Sequence, residues 1–402
     1  MNLKFYWRLM IFALALAFLG LASAQTITLR WWDYMAAGAG YVANNNAIAR
    51  FMAAHPHIRI ERTAYTFGDL KAAIVRAAAT RTMPDIVIID NPDHQAMAAQ
   101  GALTDITDLI QQWPDRELYF AGPWASTVFE GRNYGIPWRS NATALYYNET
   151  LLAEAGLAPP TTWEELRSAA KALTAPGRHG LCFSAVPTEE GTFTFLPFLW
   201  QAGGDIPTLG DEASIETLAF WNTLVNEDQT VSPAITTWSQ GDVLLHFMAG
   251  RCAMMINGPW QLPVIRAETL DFSWNVAPWP CHRECASALG GENFAIGLGA
   301  NVEAAWEVIR WLTQPEQLEV YLQEAGMLPN RADMAGDPVW HEDPILGQFV
   351  DMVAIARARA YGPNYPQISE QIMTMVHSVI AGGQAPEVAA AEAARIIKPL
   401  LP

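Results

Sequence analysis

The chain has 402 residues and a formal charge of −17; half of it is hydrophobic and only 16% is charged. Such a length exceeds one ordinary core and predicts two domains, the apolar content excludes a disordered chain, and an acidic surface argues against nucleic acid and anionic lipid as partners. With no GK[ST] loop, HExxH, GxSxG or CxxC, the common nucleotidase, zinc-protease, serine-hydrolase and thiol-redox signatures are absent.

At the N-terminus, Lys4 and Arg8 lead into the uncharged apolar run Leu9–Leu21, followed by Ala22-Ser23-Ala24. This pattern predicts a cleavable secretory signal peptide over 1–24, cut after Ala24, and places the mature chain in the periplasm or extracytoplasmic space. The run is short for a membrane span.

Thr26–Trp32 alternates like a strand, and Val42–Ala54 has a helical period that stops at His55-Pro56. Ile58–Arg62 alternates again, and a helix is predicted over Asp69–Thr80. Asp85–Asp90 (DIVIID) is a continuous apolar run, as expected of a strand buried on both faces. Strands alternating with helices predict a parallel sheet flanked by helices, with ligands beyond the carboxyl ends of the strands. Those ends are Trp32-Asp33-Tyr34, Tyr65-Thr66-Phe67 and Asp90-Asn91.

Further along, Thr161–Thr174 reads as an amphipathic helix, Gly180–Ala185 as a strand and Ala213–Glu227 as a helix. Phe247–Gln261 (FMAGRCAMMINGPWQ) reads as a helix end, a buried strand over Cys252–Ile256, and a turn at Asn257-Gly258-Pro259 that presents Trp260. Leu270–Pro280 is extended. Ala288–Gly297 (ALGGENFAIG) carries a Gly-Gly pair, whose backbone can approach a ligand closely at Gly291, with Glu292 and Asn293 beside it. Val302–Gly326 reads as two helices broken at Pro315, Gly362–Ser369 leads a helix, and Gly382–Pro399 is a terminal helix. Sixteen Trp, 16 Phe and 11 Tyr suit a pocket that stacks on sugar rings.

Export would expose the four cysteines to an oxidising space. Cys281 and Cys285 can close a small ring in the loop PCHREC; Cys182 and Cys252, in apolar segments, can pair or stay as buried thiols. A zinc site on Cys281, His282 and Cys285 lacks a fourth ligand. No metal or cofactor is expected.

Several stretches carry a family resemblance in register: YGIPW, ALYYNETLLAEAGL, PPTTWEEL, AGRCAMMINGPW, ALGGENFAIG and LPNR. Together they resemble the family 1 extracellular solute-binding proteins, the maltose-binding-protein-like subunits of bacterial carbohydrate ABC importers. The resemblance implies a type II periplasmic-binding-protein fold: two α/β lobes, each a mostly parallel sheet flanked by helices, joined by crossover hinges. It divides the chain into an N-terminal lobe (25–138 and 296–335) and a C-terminal lobe (139–295 and 336–402). It further implies that Trp138, Arg139 and Asn141 line the cleft at the first crossover. Contacts are also implied from the Thr192–Gly204 helix, with Phe193, Phe195 and Trp200 competing, and from Trp238. Arg331 stands near the hinge and Tyr365 ahead of a helix. Asn141 stands where the family has a sugar-binding carboxylate, and Ile372 where it has a stacking tryptophan. The implied protein is a monomeric receptor that hands a small carbohydrate to the transmembrane permease subunits and has no catalytic residues.

Other readings make distinct demands. A glycoside-acting enzyme needs two facing carboxylates, roughly 5–9.5 Å apart, from Asp33, Asp90 and Glu292. A receptor for glycerol phosphate or another anion needs several cations, for which Arg139 and Arg331 stand available. A polyamine would use Asp33 and Asp90 with aromatic walls.

Overall fold

A computed structural model describes residues 26–402. The expected signal peptide and its cleavage point lie outside the described residues. Two sheets organise the chain, built from β1 (Ile27–Asp33), β2 (Ile58–Ala64), β3 (Ile86–Asp90), β4 (Gly135–Asn141), β5 (Ala144–Asn148), β6 (His179–Cys182), β7 (Cys252–Asn257), β8 (Trp274–Ala277) and β9 (Gly290–Ile296).

The first sheet has the order β2-β1-β3-β9-β4, with β1 parallel to β2 and β3, and β9 antiparallel to β3 and β4. In β3 every residue is buried, as its unbroken apolar run requires. Ile86 and Ile88 enter one core while Val87 and Ile89 enter another, because successive side chains of a strand point to opposite faces. The second sheet has the order β8-β5-β7-β6; only β6–β7 is a parallel pair. A separate core surrounds it.

The sheets are thus mixed where a mostly parallel arrangement was expected. The reason is covalent: β4 carries the chain out to the second lobe and β9 brings it back, so adjacent outgoing and returning strands run antiparallel. The expected lobe changes at 138/139 and 295/296 fall inside these strands. Residues 139–141 and 290–295 pair within the first sheet, and Met334 and Trp340 both pack in its core.

The helices follow the predicted periods with moved ends. The helix α1 spans Gly38–Ala54 and α2 spans Phe67–Thr80, where the Thr66 side chain accepts the Asp69 N–H as the cap. In the second lobe α3 covers Trp163–Leu173, capped by Thr162, and α4 covers Glu189–Gln201, capped by Thr188. The break at Pro315 separates Val302–Leu312 from Pro315–Ala325, and the latter ends on left-handed Gly326. Cys281–Cys285 is bonded as expected, and the alternative left open at Cys182 and Cys252 resolves to a disulfide joining β6 to β7.

Candidate functional site

Between the two lobes lies a cavity of about 430 Å³. The first lobe supplies Tyr34 and residues Met35–Gly40 after β1, Thr66 and Phe67 at the start of α2, Asp90 at the end of β3, Arg139 and Asn141 on β4, Gly290–Glu292 on β9, and Met327. Glu189, Glu190 and Phe193 of α4, Ser239–Gly241, Trp260, Gln261, Val264 and Arg359 come from the second. Strand ends and helix starts therefore build the walls, as in other open α/β sheets.

Register sets the polar floor. Glu292 pairs across β9 with both Arg139 and Asp90. Arg139 donates to one Glu292 oxygen, and the Tyr34 hydroxyl donates to the other at 2.6 Å. The same guanidinium lies 5.1 Å from the Trp138 ring centroid and 5.4 Å from that of Tyr321. Burial and the Glu292 charge hold the Tyr34 hydroxyl well above the usual phenol range.

Across the cavity, Glu189 begins α4 and accepts hydrogen bonds from Arg359, from the Tyr365 hydroxyl at 2.7 Å and from Ser369. Arg359 also donates to Asp90 at 3.3 and 3.4 Å and to Asn91 at 3.0 Å, and lies 4.5 Å from the Phe193 centroid. Burial pushes the Asp90 carboxyl up to about 7, with Arg359 pulling the other way. Glu190, raised by burial, accepts the Gln240 backbone N–H at 2.8 Å.

Trp260 is partly buried, lines the cavity and packs against both large cores. Its ring lies over Gly258, where an added Cβ would come within 1.9 Å of it. The Phe193 ring stands 6.4 Å away.

Of the residues predicted from sequence, Tyr34, Asp90, Arg139, Asn141, Phe193, Trp260, Gly291 and Glu292 line the cavity. The others are placed elsewhere. Asp33 is fully buried and takes hydrogen bonds from Arg62, from the Trp31 indole at 2.8 Å and from the Met35 N–H at 2.8 Å; it fixes the chain leaving β1. Trp32 and Tyr65 pack edge to face, 5.2 Å apart, beside the core on the sheet's other face. Trp138 is wholly buried and stacks on Tyr321 at 4.1 Å. Asn91 stands behind the wall as an acceptor for Arg359. Asn293 donates to Ser126 at 2.9 Å, and Trp238 stacks on His246 at 3.9 Å. Arg331 is consumed by Asp115, Asp333 and the Thr313 carbonyl. Tyr365 is buried and reaches the cavity only through Glu189.

Sequence reasoning did not single out Glu189, Glu190, Gln240, Gln261, Met327 or Arg359. The two glutamates open a helix, where acids are common for capping reasons alone. Arg359 sits in an aperiodic stretch, RARAYG, with nothing local to mark it.

Residues 46–348 match the family model described as bacterial extracellular solute-binding protein. A binding protein of Brucella abortus (strain 2308) is 26% identical over 287 residues, covering 68% of this chain and 70% of that protein. Among solved structures, an ABC transporter solute-binding protein from Thermotoga lettingae TMO, bound with α-D-tagatose, superposes with a TM-score of 0.86 at 28% identity. It covers 94% of this chain and 100% of its own. Maltose-bound MalE3 of T. maritima superposes with a TM-score of 0.83 at 24% identity, covering 94% and 100%, and shows the same fold.

Proposed function

The chain belongs to the bacterial extracellular solute-binding proteins, and from that premise we propose that it is the exported receptor of a sugar ABC importer. It captures a monosaccharide or short oligosaccharide between its lobes and delivers it, as a monomer, to the membrane permease. The observation that carries this reading is the cavity: flat rings from both lobes (Tyr34, Phe67, Phe193 and Trp260) around a polar floor. An aromatic face packs on the apolar C–H face of a pyranose, while carboxylates and amides take its hydroxyls. A volume of about 430 Å³ lies near the small end of ligand sites, roughly 300–1,000 Å³, which favours a short ligand. The tagatose-bound relative supports the same class.

A ligand that touches both lobes binds the closed state better and so shifts the population toward it. The closed face is what a permease would read. The second reading, an anionic solute such as glycerol phosphate, finds little support. Arg139 is matched by Glu292, Arg359 by Asp90 and Glu189, and Arg331 stands outside the cavity.

A thermal-shift screen of neutral sugars and polyols, followed by calorimetry against phosphorylated analogues, tests the proposal. A neutral sugar should raise the melting point, since a ligand binding only the folded form stabilises it. Binding of phosphorylated compounds alone would overturn it.

A further inference from the structure

The charged residues of the cavity are not all equivalent. Arg139, Glu292 and Tyr34 bond within the first lobe, whereas Arg359 bonds to both lobes at once. Arg359 follows the short strand Ala356–Arg357, which pairs with Ser287–Ala288 beside the second core, and it precedes Tyr365 of that core. One of its nitrogens donates to Glu189, also of the second lobe. The fork then reaches Asp90 at 3.3 and 3.4 Å and Asn91 at 3.0 Å, at the carboxyl end of β3 in the first sheet.

We propose that Arg359 is an interlobe clasp, a positioning residue that holds the binding lobes near one another before any ligand arrives. The planar guanidinium suits the task because its donors are spread over a rigid fork and can serve partners on two sides. Its side chain is 2% exposed, so water screens these pairs weakly. The second-lobe half is anchored independently, since the Tyr365 and Ser369 hydroxyls hold Glu189 in place. Among the described residues, the side chains of Asp90 and Asn91, the first-lobe half, take hydrogen bonds from the second lobe only through Arg359. Separating the lobes thus costs the Asp90 and Asn91 contacts and leaves the Glu189 pair intact. The clasp limits how far the empty cleft opens, and so how much ordering a ligand must supply on capture. This goes beyond the receptor reading and does not depend on which solute is carried.

The test uses the protein without ligand, so a failed sugar screen leaves it untouched. Asp90→Ala with Asn91→Ala removes the first-lobe acceptors, and Arg359→Lys keeps the charge for Glu189 but loses the fork. Small-angle scattering should show either variant with a radius of gyration about 1 Å above the wild type, itself about 21 Å for a compact chain of this size. Cooperative melting should persist in both variants. A wild-type radius in a folded variant overturns the clasp. Loss of cooperative folding in both variants overturns it too, because a contact between lobes that already fold is not required by either.

Discussion

Trp260 gains its role from its neighbours. Gly258 leaves room for the indole, Phe193 faces it obliquely, and both lobe cores touch it. Replacing it by alanine removes a stacking surface worth on the order of 1 kcal/mol or more, so Trp260→Ala should weaken sugar binding about tenfold. Calorimetry beside a melting curve checks this; unchanged affinity would reduce Trp260 to packing. At Asp90 the expected consequence is a pH dependence. Burial raises its carboxyl from 3.8 to about 7 in the folded chain. Between those values the native state holds a proton that the unfolded state has released, so stability falls as pH rises from about 4 to about 7 and is flat above. Melting temperatures across that window, for wild type and Asp90→Asn, should differ in slope; parallel curves would contradict the shift. The sequence marked Asp90 and Trp260 from strand ends alone. It could not separate Asp33 from Asp90, because both follow strands and only packing shows that Arg62 occupies the first.

At the scale of elements, the two disulfides have different weights. Cys182 and Cys252 are 70 positions apart and tie β6 to β7 in the second core, whereas Cys281 and Cys285 are only four apart. On chain entropy alone the first contributes about 4 kcal/mol and the second about 2. Cys182→Ala with Cys252→Ala should therefore lower the melting temperature more than Cys281→Ser with Cys285→Ser, which should mainly loosen its loop. The reverse order would deny the pairing its structural role. Strand and helix periods were legible locally: DIVIID announced a doubly buried strand, and Pro315 announced a break between two helices. Element ends were less so, as at α4, which begins at Glu189, three residues before the predicted Thr192, because Thr188 caps it.

For the whole molecule, closure is the expected act. A sugar that stabilises the fold should also shrink the scattering radius, since the closed state brings the cavity walls together; binding without contraction would separate capture from closure. The likeness of YGIPW, AGRCAMMINGPW and ALGGENFAIG to one family was readable in the sequence, as were two lobes and an aromatic, acid-rich site. Those properties reside in period, composition and local wording, which survive without coordinates. Which residues meet across the cleft was decided only by the tertiary structure. Asp90 and Arg359 are 269 positions apart and Arg139 and Glu292 are 153 apart. Their encounters depend on how outgoing and returning strands pair and how two cores face one another. Nothing local to either partner records that geometry, so Arg331 resembled a cleft residue and Arg359 did not.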